Sequence, residues 1–153
     1  MKTIPIIGLS VTMLTLSSEA ASIVYTVSGN ATGRLGGSSF TAAPFKLDVF
    51  ADTADIAPFY FAGDYVDDTY SIISIGDFGV ATFTTAARFF ANYGGDSAGF
   101  SQGGRDGEDY LAFSNSELRS YDLKNPKPSI DVVFEYIDMR SVSTSLGSLT
   151  INS

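Results

Sequence analysis

No cysteine, histidine or tryptophan occurs in the 153 residues. Without cysteine there are no disulfides and no thiol nucleophiles. With histidine also missing, the usual zinc ligands and every triad built on an imidazole base are excluded. Positive charge is scarce, with nine Lys and Arg against 17 Asp and Glu and a net charge of −8. Such a surface repels phosphate backbones and anionic lipid heads, so nucleic acid is not an expected partner. Charged residues make up 17% of the chain and hydrophobic ones 44%, the balance of one compact domain rather than a disordered tail. The chemistry left is that of carboxylates, of Ser with Lys, or of a hard metal held by oxygen. No motif marks any of them, and Lys46, Lys124 and Lys127 stand at no Ser-x-x-Lys spacing.

Lys2 is the only charge before Glu19, and Ile4 to Leu16 is dominated by Ile, Leu, Val and Met. That apolar stretch is too short to span a bilayer and has the form of a signal peptide, with small residues at Ser18 and Ala20 placing cleavage after Ala20. Pro5, Gly8 and the interspersed Ser and Thr argue against a helical or strand period over the whole segment. Residues 21–153 are then the exported domain, with no second apolar run of spanning length and no hydrophobic tail at Leu149 to Ser153. The expected location is secreted or extracellular. An exported domain without cysteine fits a bacterial setting better than a eukaryotic secretory route.

Within the domain, short β-type runs recur between clusters of Gly, Asp, Asn and Ser, and no window of helical length has an apolar face. The expected fold is all-β, an antiparallel β-sandwich of jelly-roll type, with a barrel as the alternative. Phe45, Leu47 and Val49 alternate with Lys46 and Asp48, the pattern of a strand with one wet face. Ile23 to Ser28 reads as a strand before a turn or bulge at Gly29-Asn30. Tyr70 to Ile75 and Val80 to Thr84 read as a hairpin turning at Gly76-Asp77-Phe78-Gly79. Further strands are expected at 87–93, 108–113, 131–137 and 148–152. Residues 94–107, with glycine at 94, 95, 99, 103, 104 and 107, read as a long loop, and Asn125-Pro126-Lys127-Pro128 as a connection or sheet edge.

The acidic residues gather in three places: Asp52 with Asp55; Asp64, Asp67 and Asp68; and Asp106, Glu108 and Asp109. Ca²⁺ takes six to eight oxygens in flexible geometry, which makes Asp64, Asp67 and Asp68 the candidate ligands of a low-affinity site, although no cluster has EF-hand spacing. Exposed Asp that merely favours turns and solubility explains the same residues. Glu108 and Glu135 are the strand-borne pair that glycoside hydrolysis would need, with nothing nearby to fix them in that role. All 12 Phe and 8 Tyr follow residue 20. In the runs Phe59-Tyr60-Phe61 and Phe89-Phe90 neighbouring rings must point to opposite sheet faces, so one of each faces the core and the other faces water or a partner. Tyr60, Tyr65 and Tyr93 are the candidate ligand-contact residues. Asn30-Ala31-Thr32 matches a glycosylation sequon, read here as chance in a bacterial protein.

The run Tyr25-Thr26-Val27-Ser28-Gly29-Asn30-Ala31-Thr32-Gly33-Arg34-Leu35-Gly36-Gly37-Ser38-Ser39-Phe40-Thr41 resembles the opening of bacterial PEP-CTERM proteins, the secreted proteins sorted by exosortase. Similar segments follow in the same order: Ala51-Asp52-Thr53-Ala54-Asp55, Gly76 to Phe83, Tyr121-Asp122-Leu123 and Ser143 to Thr150. The resemblance implies an exported β-rich domain associated with extracellular polysaccharide or surface proteins, and it carries over no catalytic residue. Proteins of that group end in a Val-Pro-Glu-Pro type motif, an apolar helix and a basic tail, which do not occur in this sequence. The expectation is either a released domain or a shared β-domain without exosortase sorting.

Together these readings describe an exported, non-enzymatic β-sandwich with a structural or interaction role. A glycan-binding module using Ca²⁺ or aromatic contacts is the second reading, and a carboxylate glycosidase the third. Mass spectrometry of the exported protein is expected to find Ala21 at its N-terminus. Soluble extracellular protein that retains Met1 would overturn the leader reading.

Overall fold

The computed structural model describes residues 7–13, 21–59, 63–103 and 108–152. Strands account for 68% of the chain and helical turns for 7%, arranged as two antiparallel sheets packed as a sandwich. The strands are β1 (Ile7–Met13), β2 (Ser22–Leu35), β3 (Ser38–Asp52), β4 (Ala57–Phe59), β5 (Gly63–Asp67), β6 (Tyr70–Ile75), β7 (Val80–Thr82), β8 (Ala87–Asn92), β9 (Ser97–Gln102), β10 (Asp109–Ser114), β11 (Ile130–Thr144) and β12 (Gly147–Asn152). The first sheet runs from β1 and β12 through β2, β3 and β6 to β7, and the second from β4 through β5, β8, β9 and β10 to β11. β11 belongs to both: Val133–Ile137 pair with β10, and Asp138–Thr144 pair with β12.

Period-2 patterning decides which side of each strand is buried. Ile23, Tyr25 and Val27 of β2, Phe45, Leu47 and Val49 of β3, and Ile73 and Ile75 of β6 turn inward from the first sheet. Val66, Phe89, Ala91, Ala98, Phe100, Leu111 and Phe113 meet them from the second. Tyr25 and Phe89 stack across the interface at 4.3 Å with planes 8° apart, and the Tyr25 hydroxyl donates to the Leu123 carbonyl at 2.8 Å. That hydrogen bond ties the irregular stretch 115–129, whose Leu118, Tyr121 and Leu123 are buried, to the centre of the core. Burial holds the Tyr25 hydroxyl neutral well beyond the ordinary phenol range, with Tyr121 and Asp122 adding to the effect.

Several sequence expectations are met closely. In β3 the wet face is itself organised, because Asp48 accepts from Thr26 Oγ1 and from Lys46 Nζ, each at 2.6 Å. β6 and β7 form the expected hairpin, with Gly76 and Gly79 at φ +41° and +95°. The proline stretch at 125–128 is a connection without strand structure.

Three expectations need correction. β2 continues through Gly29-Asn30, which stay in register with Phe45 and Pro44, and the register shift comes just after them, between Ala31 and Gly33. Its turn comes at Gly36-Gly37, whose φ values of +58° and +93° suit the type I′ hairpin that the right-handed twist of the strands favours. The long loop read over 94–107 contains β9, a strand hydrogen-bonded on both sides. Its glycine and serines mislead because they lie on the side of the sheet away from the core, where they are nonetheless covered, whereas Ala98 and Phe100 alternate into the core. Residues 104–107 lie outside the described part. Finally, Ile7–Met13 alternates strictly between apolar residues and Gly, Ser or Thr, and it pairs with both β2 and β11. The flanking apolar residues conceal that period in the sequence.

Because Phe89 fills the centre of the core, Phe89→Ala is expected to cost about 3–5 kcal/mol of stability. Tyr25→Phe keeps the stack but strips the Leu123 carbonyl of its donor, for about 1–3 kcal/mol. Urea unfolding checks both, and a Tyr25→Phe loss exceeding that of Phe89→Ala would contradict this account of the core.

Candidate functional site

With Phe89 inward, its neighbours Arg88 and Phe90 belong to the outer face of the second sheet. Register then selects their companions: Tyr65 lies opposite Phe90, and Asp67 opposite Arg88. The Arg88 guanidinium sits 3.8 Å from the centroid of the Tyr65 ring, while its Nε and a terminal nitrogen donate to one Asp67 oxygen at 2.9 and 2.8 Å. Only 8% of Arg88 is exposed although it lies on an outer face, so cation–π contact and ion pairing immobilise it together. Phe59 packs edge-on to Tyr65 and stacks on Phe90, and it is itself 40% exposed.

The Phe90 ring also covers the next strand. Gly99 lies opposite Phe90 on β9, and a Cβ there would stand 2.6 Å from the Phe90 ring, so only glycine lets the ring lie across that strand. Ala112 follows on β10, opposite Gly99. Tyr65, Phe90, Gly99 and Ala112 thus form one cross-strand row about 14 Å long. The row ends in a cleft of about 420 Å³ lined by Glu108, Asp109, Ala112 and Arg140. Desolvation at the cleft wall raises the Asp109 carboxyl above the usual carboxylate range. The outer face therefore joins an aromatic platform, extended over Gly99 by the Phe90 ring, to a polar cleft containing both charge signs. The outer face of the first sheet carries a smaller aromatic feature, Phe50 stacked on Tyr70 at 4.2 Å.

Asp64, Asp67 and Asp68 do not converge. Residues 64 and 67 are three apart on one strand and so lie on opposite sheet faces. Asp67 holds Arg88. Asp68 accepts from Ser71 Oγ at 2.6 Å and from the Ala87 amide at 2.9 Å, while Asp64 accepts from the Tyr93 hydroxyl. Among the described residues no group of three or more acidic side chains is placed to hold a metal ion. Of the candidate ligand contacts, Tyr65 is part of the platform. Tyr93 lies with Asp64 on the core-facing side of β5, and Tyr60 lies outside the described residues. Glu108 lines the cleft; Glu135 is exposed on β11 and is not among the described residues lining it. Sequence reasoning missed Arg88 and Arg140 and named Asp109 only as part of an acidic cluster. The signal for Arg88 was available, since it shares the period-2 face of Phe90, but its partners follow only from strand register.

Compared with protein-family models, curated proteins and solved structures, the chain matches none.

Partial burial, the hydrogen bond to Asp64 and the charge of Asp64 together push the Tyr93 phenol up to about 12. A raised phenol keeps its proton in the fold while the unfolded chain ionises from about 10, so its stabilising effect is complete below pH 10 and is lost between pH 10 and 12. Ultraviolet difference titration is expected to show Tyr93 ionising late, and Asp64→Asn to bring it earlier. An unchanged titration in that variant would show that Asp64 does not hold the phenol.

Proposed function

We propose that this protein is an exported, non-enzymatic interaction module that binds extracellular polysaccharide through the outer face of its second sheet. The observation carrying this reading is the platform of Phe59, Tyr65 and Phe90, braced by the Arg88–Asp67 pair and extended across β9 by the Phe90 ring lying over Gly99. Sugar rings present apolar faces to aromatic planes and hydroxyls to polar groups, and this face offers the two side by side. Rigidity favours binding, because a side chain already immobilised loses little entropy when a ligand arrives. Arg88 is such a side chain, and its contact orients Tyr65.

The net charge of −8 favours neutral or basic glycans over polyanionic ones. A Ca²⁺-assisted variant of the reading draws no support from Asp64, Asp67 and Asp68, since each is committed to a different partner. Surface proteins remain the second class of partner, for which the exposed edge of Phe59 is the supporting feature.

Pull-down on insoluble neutral polysaccharides, followed by titration with soluble fragments, tests the proposal. Tyr65→Ala and Phe59→Ala are each expected to weaken binding by about two- to tenfold, the worth of one aromatic contact. Tyr70→Ala, on the other sheet, should leave binding unchanged, and chelator should have no effect. Binding that survives loss of both Tyr65 and Phe59 would overturn the assignment of this face.

A further inference from the structure

The margins of the sheets are protected against pairing with other chains. β4 and β7, at the two ends of the strand path, have three residues each, and β4 carries Pro58. Short strands and proline are devices that stop sheet edges from pairing with other chains. β2 has 14 residues, and its first part, Ser22-Ile23-Val24-Tyr25-Thr26-Val27, contains no charge, no proline and no glycine. It has the composition of an interior strand. It is interior: β3 lies on one side, and on the other β12 covers Thr32–Leu35 while β1 covers Ile23–Val27.

β1 fits that position by register. Leu9, Val11 and Met13 pair with Val27, Tyr25 and Ile23, all three fully buried, whereas Ser10 and Thr12 pair with Thr26 and Val24. Its other edge pairs with β11 through Ile7–Leu9 opposite Ile130–Val132. Yet β1 lies inside the segment read as the leader.

We propose that β1 is a placeholder: removal of the leader after Ala20 opens a strand-wide site along Ile23–Val27 of β2, which the exported protein fills with an extended arm donated by another polypeptide. The inference rests on the leader reading. Three features set the chemistry of the arm. The buried partners Ile23, Tyr25 and Val27 call for apolar residues at alternate positions, as Leu9, Val11 and Met13 supply. At Leu9, β1 is flanked by Val27 on one side and Ile130 on the other. Two inter-strand steps, about 9.6 Å, separate them, so a single free strand enters and the edge of a second sheet does not. The acidic charge of the chain favours a neutral or basic arm. Main-chain hydrogen bonds provide affinity in such strand addition, and the alternate side chains provide specificity.

The test uses the full-length chain with a site-specific protease sequence in place of residues 15–20, so that the cut follows folding. The probe is a fluorescent synthetic peptide of residues 5–14 with a short lysine tail. The uncut chain is expected to take up no probe. The cut chain should exchange its own β1 for one probe per chain, and hydrogen exchange should show those amides of Ile23–Val27 that face β1 exposed once the cut segment has been washed away, and protected again by the probe. A probe carrying Val11→Asp should bind about tenfold more weakly or worse, because it brings an unpaired charge opposite Tyr25. Equal uptake of both probes, or amides that stay protected with no peptide bound, overturns the proposal. If the cut chain precipitates, prevention by the probe supports the site and failure to prevent it overturns the site. Since the cut is made in vitro, exported protein that retains Met1 would refute the leader reading separately.

Discussion

The contact between Tyr25 and Phe89 is the constraint on which the rest of the molecule depends. It joins the two sheets at their centre, and the hydroxyl of Tyr25 reaches past the stack to hold Leu123. Phe100 and Phe113 are buried in the same core, and Phe113 lies 6.3 Å from Phe89. A strand has only two sides. Once Phe89 is committed inward, Arg88 and Phe90 are committed outward, and the candidate face is fixed by the same choice that fixes the core. Core and candidate site are therefore complementary faces of one strand.

The outer face is held by contacts that cross strands. Arg88 on β8 reaches both Tyr65 and Asp67 on β5, and Phe59 on β4 lies against Tyr65 and Phe90. An exposed Arg–carboxylate pair contributes little by itself. Here the guanidinium is covered and stacked, so the pair acts mainly to fix an aromatic ring in one orientation. A mobile ring would lose rotamer freedom on binding a ligand, and a ring already fixed loses less.

The sequence was most legible where a single strand declares its own period. Phe45, Leu47 and Val49 set β3, and Gly76 with Gly79 set the β6–β7 turn, because the information is local. It failed at β9, where Gly99 is needed by the ring of Phe90 from the next strand and so resembles loop composition. It failed again at Ile7–Met13, whose alternation is surrounded by further apolar residues. In the candidate site the aromatic runs were visible as pairs that must split between faces. The partners of Arg88 were not visible, since Asp67 is 21 residues away and meets it only through the register of β5 with β8. The three aspartates looked like one cluster in sequence, but pleating separates Asp64 from Asp67, and each carboxylate has a local partner.

The central claim is that ligand binding belongs to the outer face of the second sheet. Its most direct measurement is backbone and methyl NMR of the labelled protein titrated with a soluble oligosaccharide from the polysaccharide that retains it best. The account predicts shift changes confined to Tyr65, Arg88, Phe90, Gly99, Ala112 and their immediate neighbours, saturating together with one dissociation constant. Changes centred on Phe50 and Tyr70 of the first sheet, or saturable binding that leaves the row from Tyr65 to Ala112 unperturbed, would contradict it.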